Sequence, residues 1–512
     1  KFIYRTIFEG DFKREKMNKL DLQSYNGRRP YARTLSFVLQ KAVSELYYDK
    51  VLLLDYDLPT GLYGEIKGME ITQESVSELK KKMMEIVTAN IPIEEEEIKL
   101  TDAINIFERN GQSEKAMLAK TSGNMFMTIY KMGSTIDTFY GKMLPSTGYI
   151  KVFDLVKYFN GFCLVYPSVE NVDKVNEVII QDKLNEVFNE HSHWCKILKA
   201  HGIGSLNNAI NCGRAKELIQ LSEALHEHKY ADIADDIYEK RDKVKLILIA
   251  GPSSSGKTTT SKRIALHTKV NGMNPIVIEL DNYFVNRENT PKDKNGDYNF
   301  ESINALDLEF LNMQLEQLFS AEEIDVPKFD FIKGKRYFVG EKMRLRDNDV
   351  LIMEGIHALN PKLTNHISNE NKYRVYASAL TSLSIDENNN ISTSDNRLLR
   401  RLVRDHQFRG ISPESTIMRW PSVRNGEIKN IFPYQENADI MFNSALIYEL
   451  PMLKCYAEQL LRGVDPFSPA YPEAARLLHF LGYITALTPA EVSVIPPTSV
   501  LREFIGGSSL TY

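Results

Sequence analysis

Eight residues near the middle of the chain, Gly251-Pro-Ser-Ser-Ser-Gly256-Lys257-Thr258, meet the pattern G-x-x-x-x-G-K-[ST] at every fixed position. The glycines let the backbone wrap closely around an anion, so that successive N–H groups converge on phosphate oxygens. A helix opening near Lys257 adds its positive end to the same place. The cradle is expected to comprise Gly251, Ser253, Ser254, Ser255, Gly256, Lys257, Thr258 and Thr259. Lys257 suits the β- and γ-phosphates of a nucleoside triphosphate, and the Thr258 hydroxyl suits Mg²⁺. A chance Gly/Ser turn is the plain alternative, but a strand-like run before and a helix-like run after argue against it.

Two carboxylates follow at the right kind of place. Asp281 comes directly after the apolar run Pro275–Leu280, and Glu354 directly after Asp349–Met353. In an open α/β sheet, ligands bind beyond the carboxyl ends of the strands. There Asp281 could take the proton from an attacking hydroxyl, and Glu354 could join Thr258 at the metal. The competing readings are a turn-capping aspartate and an ordinary loop glutamate. Further on, Arg397, Arg400, Arg401 and Arg404 recur at i, i+3, i+4 and i+7 and predict one arginine face on a helix from Asp395 to Gly410. Such a face could close over a triphosphate and neutralise transition-state charge, with Arg401 and Arg404 acting in catalysis. A solvated, salt-bridged helix or a nucleic-acid stripe are the alternatives.

Elements able to position these groups can be read from periodicity. Lys245–Ala250, Pro275–Leu280 and Asp349–Met353 are short apolar runs, alternating with helical stretches such as Thr258–Thr268. That alternation predicts a doubly wound, mainly parallel α/β sheet. Before it, Ala32–Tyr47 and Ser75–Ala89 have helical spacing among strand-like pieces, which suggests an α+β domain. Expected boundaries are 1–168 for that domain, 169–240 for a helical connector, 241–460 for the phosphate-binding domain and 461–512 for a helical tail. Asn388–Asn390 reads as a loop tip. His191-Ser-His193-Trp-Cys195 contains ligand-type residues, but its i, i+2, i+4 spacing spreads them around a helix, so no metal site is expected.

Composition narrows the class. The 512 residues are 43% hydrophobic and 26% charged, ordinary for a globular protein with two or three cores. A formal charge of −5 gives no footprint for nucleic acid or an anionic membrane. No apolar run nears the ~20 residues of a membrane span. Four scattered cysteines make no disulfide framework and predict a cytoplasmic protein. A small-molecule partner is expected; a homo-oligomer is compatible.

Taken in order, these motifs resemble the uridine kinase/phosphoribulokinase family of small-molecule kinases, from about Val244 to Leu460. Asp281, within Leu280-Asp-Asn-Tyr-Phe284, matches that family's catalytic base, with Tyr283 beside it. Gly296-Asp-Tyr-Asn-Phe-Glu301 resembles a segment whose acidic residue holds ribose hydroxyls, a role that falls here to Glu301. Val326-Pro-Lys-Phe-Asp-Phe331 resembles the strand and loop lining the acceptor pocket, which implicates Phe329. Glu354-Gly-Ile356 matches the metal-side strand end, and Arg397–Gly410 the helix supplying acceptor and lid arginines, with Arg397 toward the substrate. Gly334 stands where uridine kinases carry a histidine that helps recognise the pyrimidine.

Residues 24–168 resemble the editing domain of threonyl-tRNA synthetase, through Arg29–Val43, Gly61–Ile66 and Ile136–Gly148. Pro30, Thr34, Phe139 and Met143 occupy the positions of that domain's histidines and cysteine, so the resemblance implies its shape without its chemistry. The two-part arrangement is similar to bacterial nucleoside or uridine kinases with a synthetase-like N-terminal region. Such proteins often begin with a small further domain, which places the expected native start upstream of Lys1. The resulting expectation is an ATP- and Mg²⁺-dependent kinase of a nucleoside-like hydroxyl. A sugar or polyol kinase, and a nucleotide-gated RNA-binding or regulatory protein, are the alternatives.

Overall fold

The computed structural model describes residues 21–22, 25–292, 296, 298–330, 333–381 and 383–510. The expected upstream start, Asp297 and Phe331 lie outside the described residues. The chain divides into two compact units: Lys1–Ile180 with Gly202–Ser205 and Leu383–Ile391, and Gln181–His201 with Leu206–Ser382 and Ser392–Tyr512.

In the first unit, strands β1 (Leu52–Leu58) and β2 (Gly61–Ile66) pair antiparallel, and β3 (Glu94–Lys99), β4 (Phe126–Met132) and β5 (Thr135–Asp137) form a second sheet. Strands β6 (Asp154–Tyr158) and β7 (Gly161–Val165) complete the first sheet in the order β1-β2-β7-β6. The helix Tyr25–Leu46 buries Leu35, Val38, Leu39, Ala42 and Val43 in the core of this unit, because 3.6-residue spacing puts them on one stripe. Two of the four positions matched to editing residues are packed shut. Thr34 is fully buried and its hydroxyl accepts from the Leu144 N–H at 3.0 Å, while the Phe139 ring lies 5.2 Å from that of Phe37.

The second unit is built on β8 (Leu246–Ala250), β9 (Asn274–Glu279), β12 (Asp349–Glu354), β13 (Lys372–Ser378) and β16 (Ile440–Asn443). They form a parallel sheet in the order β16-β13-β8-β12-β9. A hairpin of β10 (Ile324–Asp330) and β11 (Lys335–Met343) stands apart from it. Every residue of β8 and β12 is buried, as a parallel strand covered on both faces requires, and this is why 246–250 and 350–353 read as unbroken apolar runs. The helix Ala215–Glu239 lays Tyr230, Ile233 and Ile237 against Ile247, Ile249 and Ile264. Two expected boundaries therefore shift. Residues 181–201 and 206–240, read as connector, are an outer layer of the sheet unit, and the 461–512 tail folds into that unit. Local composition marks where a pattern changes, whereas compactness depends on which apolar faces meet.

The loop-tip reading of Asn388–Asn390 is also corrected. Leu383–Ile391 carries a small hairpin, β14 (Ser384–Asp386) with β15 (Asn389–Asn390), folded into the first unit. Asn388 is buried; its Nδ2 donates to the Leu52 carbonyl at 2.9 Å and its Oδ1 accepts from Lys115 at 2.6 Å. Lys115 is fully buried, and although burial disfavours its charge, Asp137, Asp386 and Glu387 outweigh that and raise its proton affinity. A polar tripeptide resembles an exposed turn until a buried cation is supplied from 273 residues away.

Candidate active site

The phosphate loop leaves β8 at Ala250 and enters the 14-residue helix Lys257–Val270. At Gly251 a Cβ would lie 1.9 Å from the Ala377 carbonyl oxygen, so only glycine fits between β8 and β13. Ser254 (φ 59°) and Gly256 (φ 79°) take left-handed conformations that curl the chain into a cup. The hydroxyls of Ser254 and Ser255 are buried without a hydrogen-bond partner, as suits a cradle built for an anion.

The arginine helix runs over Thr393–Arg409, and its four arginines divide between the core and the cleft. Arg397 and Arg400 are fully buried behind the loop. Arg397 donates to the Ser253 carbonyl at 3.1 Å, pairs bidentately with Glu427 and lies 5.4 Å from the Trp420 ring. Burial works against the Glu427 carboxylate, but Arg397 and Arg424 outweigh it and hold it below the ordinary range. Arg400 pairs with Glu449 and donates to Ser444, whose hydroxyl in turn donates to the Ser255 carbonyl at 2.6 Å. The expectation that Arg397 meets substrate is thus corrected, because its fork is consumed in bracing the loop. Arg401 and Arg404 are different. Arg401 reaches the Ser253 hydroxyl at 2.8 Å, and both bond Asp405 while keeping 12% and 13% side-chain exposure at the cleft.

Carboxylates cluster at the ends of β9 and β12. Thr258 donates its hydroxyl to Glu354 at 2.8 Å. Burial pushes the Glu354 carboxyl up to about 7, with Lys257 pulling it down and Asp281 adding to the rise. Asp281 sits in the turn Leu280–Tyr283; the residue meets solvent, yet the protein around its carboxyl raises its proton affinity, opposed by Lys257 and helped by Glu279. Glu301 packs its stem against Gly426, where a Cβ would lie 2.3 Å from the Glu301 Cβ. Its Oε2 is buried without a partner, and burial followed by the charge of Glu427 pushes its carboxyl up to about 7. Thr258 with Glu354 is the pair suited to hold a divalent cation.

Three more expected residues have partners within the protein. Tyr283 is in the core, its hydroxyl donating to Gln314 at 2.8 Å. Phe329 is buried in an aromatic wall, 5.7 Å from Phe284, which itself lies 6.2 Å from Phe300. The Thr259 hydroxyl donates to Glu503 at 2.6 Å. Sequence reading missed Glu427, Glu449, Ser444 and Glu503, which lie far beyond the loop in the sequence and carry no motif.

The Phosphoribulokinase / Uridine kinase family matches residues 246–448. A uridine kinase of Lactobacillus helveticus is 31% identical over 204 residues, spanning 40% of this chain and 87% of that protein. The chain belongs to the phosphoribulokinase/uridine kinase family. As a member of the phosphoribulokinase/uridine kinase family it is a small-molecule kinase. A threonine–tRNA ligase of Syntrophotalea carbinolica is 31% identical over 139 residues, 27% of this chain and 22% of that protein, which fits the N-terminal region. The solved structure of a possible uridine kinase from Bacillus stearothermophilus matches at 18% identity, covering 41% of this chain and 98% of that one, with a TM-score of 0.29. Among the described residues no helix is long and apolar enough to cross a membrane.

Proposed function

We propose that this kinase transfers the γ-phosphate of ATP, with Mg²⁺, to a hydroxyl of a nucleoside-like acceptor. The observation that carries the reading is the Thr258–Glu354 hydrogen bond at 2.8 Å, formed at the carboxyl ends of parallel strands with Lys257 and Asp281 as electrostatic neighbours. Phosphoryl transfer asks for positioning and charge stabilisation more than covalent chemistry. The loop amides and Lys257 bind the phosphate chain. Asp281, whose proton affinity is raised, accepts the proton of the attacking hydroxyl. Arg401 and Arg404 offer their remaining donors to the transferring group. Glu301, with one oxygen unpartnered, accepts hydroxyl hydrogens of the acceptor. Thr258 and Glu354 hold Mg²⁺, which when bound neutralises charge on the phosphates.

One observation favours a second acceptor class. Gly334 has φ +66°, and a Cβ there would lie 2.7 Å from the Arg287 side chain. A histidine cannot be placed at that turn without displacing Arg287, which supports a sugar or polyol in place of a pyrimidine nucleoside. The deciding test is ADP release from ATP and Mg²⁺ with a panel of nucleosides, sugars and polyols. Stimulation by uridine or cytidine supports the first acceptor class, stimulation by a sugar alone the second. Bound ATP with no turnover on any compound refutes both.

A further inference from the structure

The helix that opens the phosphate site already has an anion on its first turn. Its N-terminal amides lack intrahelical acceptors, and in a phosphate loop such donors are what a phosphate chain uses. The N–H of Thr259, third residue of the helix, donates to the Glu503 carboxylate at 3.3 Å, and the Thr259 hydroxyl donates to the same oxygen at 2.6 Å. Thr259 is fully buried. Glu503 belongs to the C-terminal turn Arg502–Ile505, well beyond residue 448, where the family match ends.

That turn is anchored where it lies. Val500 places its Cγ2 2.4 Å from where a Cβ on Gly256 would be, so the segment covers the glycine that starts the helix. The Phe504 ring sits 5.0 Å from the Arg400 guanidinium, and the Gln407 side chain donates to the Ile505 carbonyl at 2.9 Å. Phe504 and Ile505 are buried. From this turn the Glu503 side chain reaches the first turn of the phosphate-site helix.

We infer that Glu503 sets the nucleotide affinity of this site, by holding the Thr259 donors until a nucleotide phosphate displaces its carboxylate. A carboxylate and a phosphate are both anionic acceptors, so one N–H cannot serve both at full strength, and their charges repel. Nucleotide entry then requires the Glu503 side chain to turn away while the anchored backbone stays. The inference rests on the proposed nucleotide reading of the loop.

The test measures ATP affinity and KM for ATP on the full chain, as wild type, Glu503→Gln and Glu503→Ala. Removing the charge is expected to tighten ATP binding on the order of tenfold, the equivalent of one charge-assisted hydrogen bond no longer in competition. KM for ATP falls accordingly, and KM for the acceptor does not move. Unchanged or weaker ATP binding in the variants, with wild type binding normally, overturns the inference alone and makes Glu503 a brace. No ATP binding by any form refutes the nucleotide reading as well. If Glu503→Ala fails to fold, Glu503→Gln, which keeps an acceptor for the Thr259 hydroxyl, decides the matter.

Discussion

Replacing Glu354 with glutamine should make the ligand-free protein more stable above neutral pH. In the folded protein burial lifts the Glu354 carboxyl from its ordinary 4.5 to about 7. Between those values the folded chain holds a proton that the unfolded chain has released. Stability must therefore fall as pH rises through that window, and the penalty is complete above about pH 7. At ~1.4 kcal/mol for each tenfold change, the full penalty is roughly 3 kcal/mol. Glutamine keeps the shape and still accepts from Thr258, but it has no charge to desolvate. The two proteins should then be equally stable near pH 4.5 and differ by about 3 kcal/mol at pH 8, with the variant ahead. Both tryptophans, Trp194 and Trp420, lie in the second unit, so tryptophan-fluorescence-detected urea unfolding reports on that unit. ATP with Mg²⁺ should narrow the gap by supplying a positive charge. A wild-type-minus-variant difference that is flat with pH, or that grows in favour of wild type, would refute the reasoning.

Further outcomes are expected from single substitutions. Asp281→Asn should lower turnover by about 10²- to 10⁴-fold while ATP still binds, because the hydroxyl loses its base; turnover within tenfold of wild type removes Asp281 from that role. Arg400→Ala leaves Glu449 buried without its partner and should cost about 3–5 kcal/mol in urea unfolding, much of which Arg400→Met with Glu449→Leu recovers. A loss under 1 kcal/mol in the single variant would argue against the brace. Gly251→Ala should weaken ATP binding tenfold or more, about 1.4 kcal/mol, since the added methyl meets the rigid Ala377 carbonyl of β13. Normal titration of that variant would show that the loop can move aside.

The phosphate loop, the carboxylates after β9 and β12, and the alternation of strands and helices were legible from residue types alone. Each depends on short-range rules: a glycine spacing that lets backbone amides converge, an apolar run long enough for one strand, a charged residue directly after it. The arginine helix was legible as a helix, and its period put four guanidinium groups on one side. Whether each then faced the cleft or the core depended on partners that no local pattern encodes. Glu427 and Glu449 take Arg397 and Arg400 out of the cleft and leave Arg401 and Arg404 at it. The same holds for Tyr283, drawn inward by Gln314, and for Asn388, paired with a buried lysine. Sequence determines which chemistry a chain can carry. Burial and pairing, set by residues well outside any local pattern, decide which of those groups stay available, because a charge removed from water must find an opposite charge or give up its own.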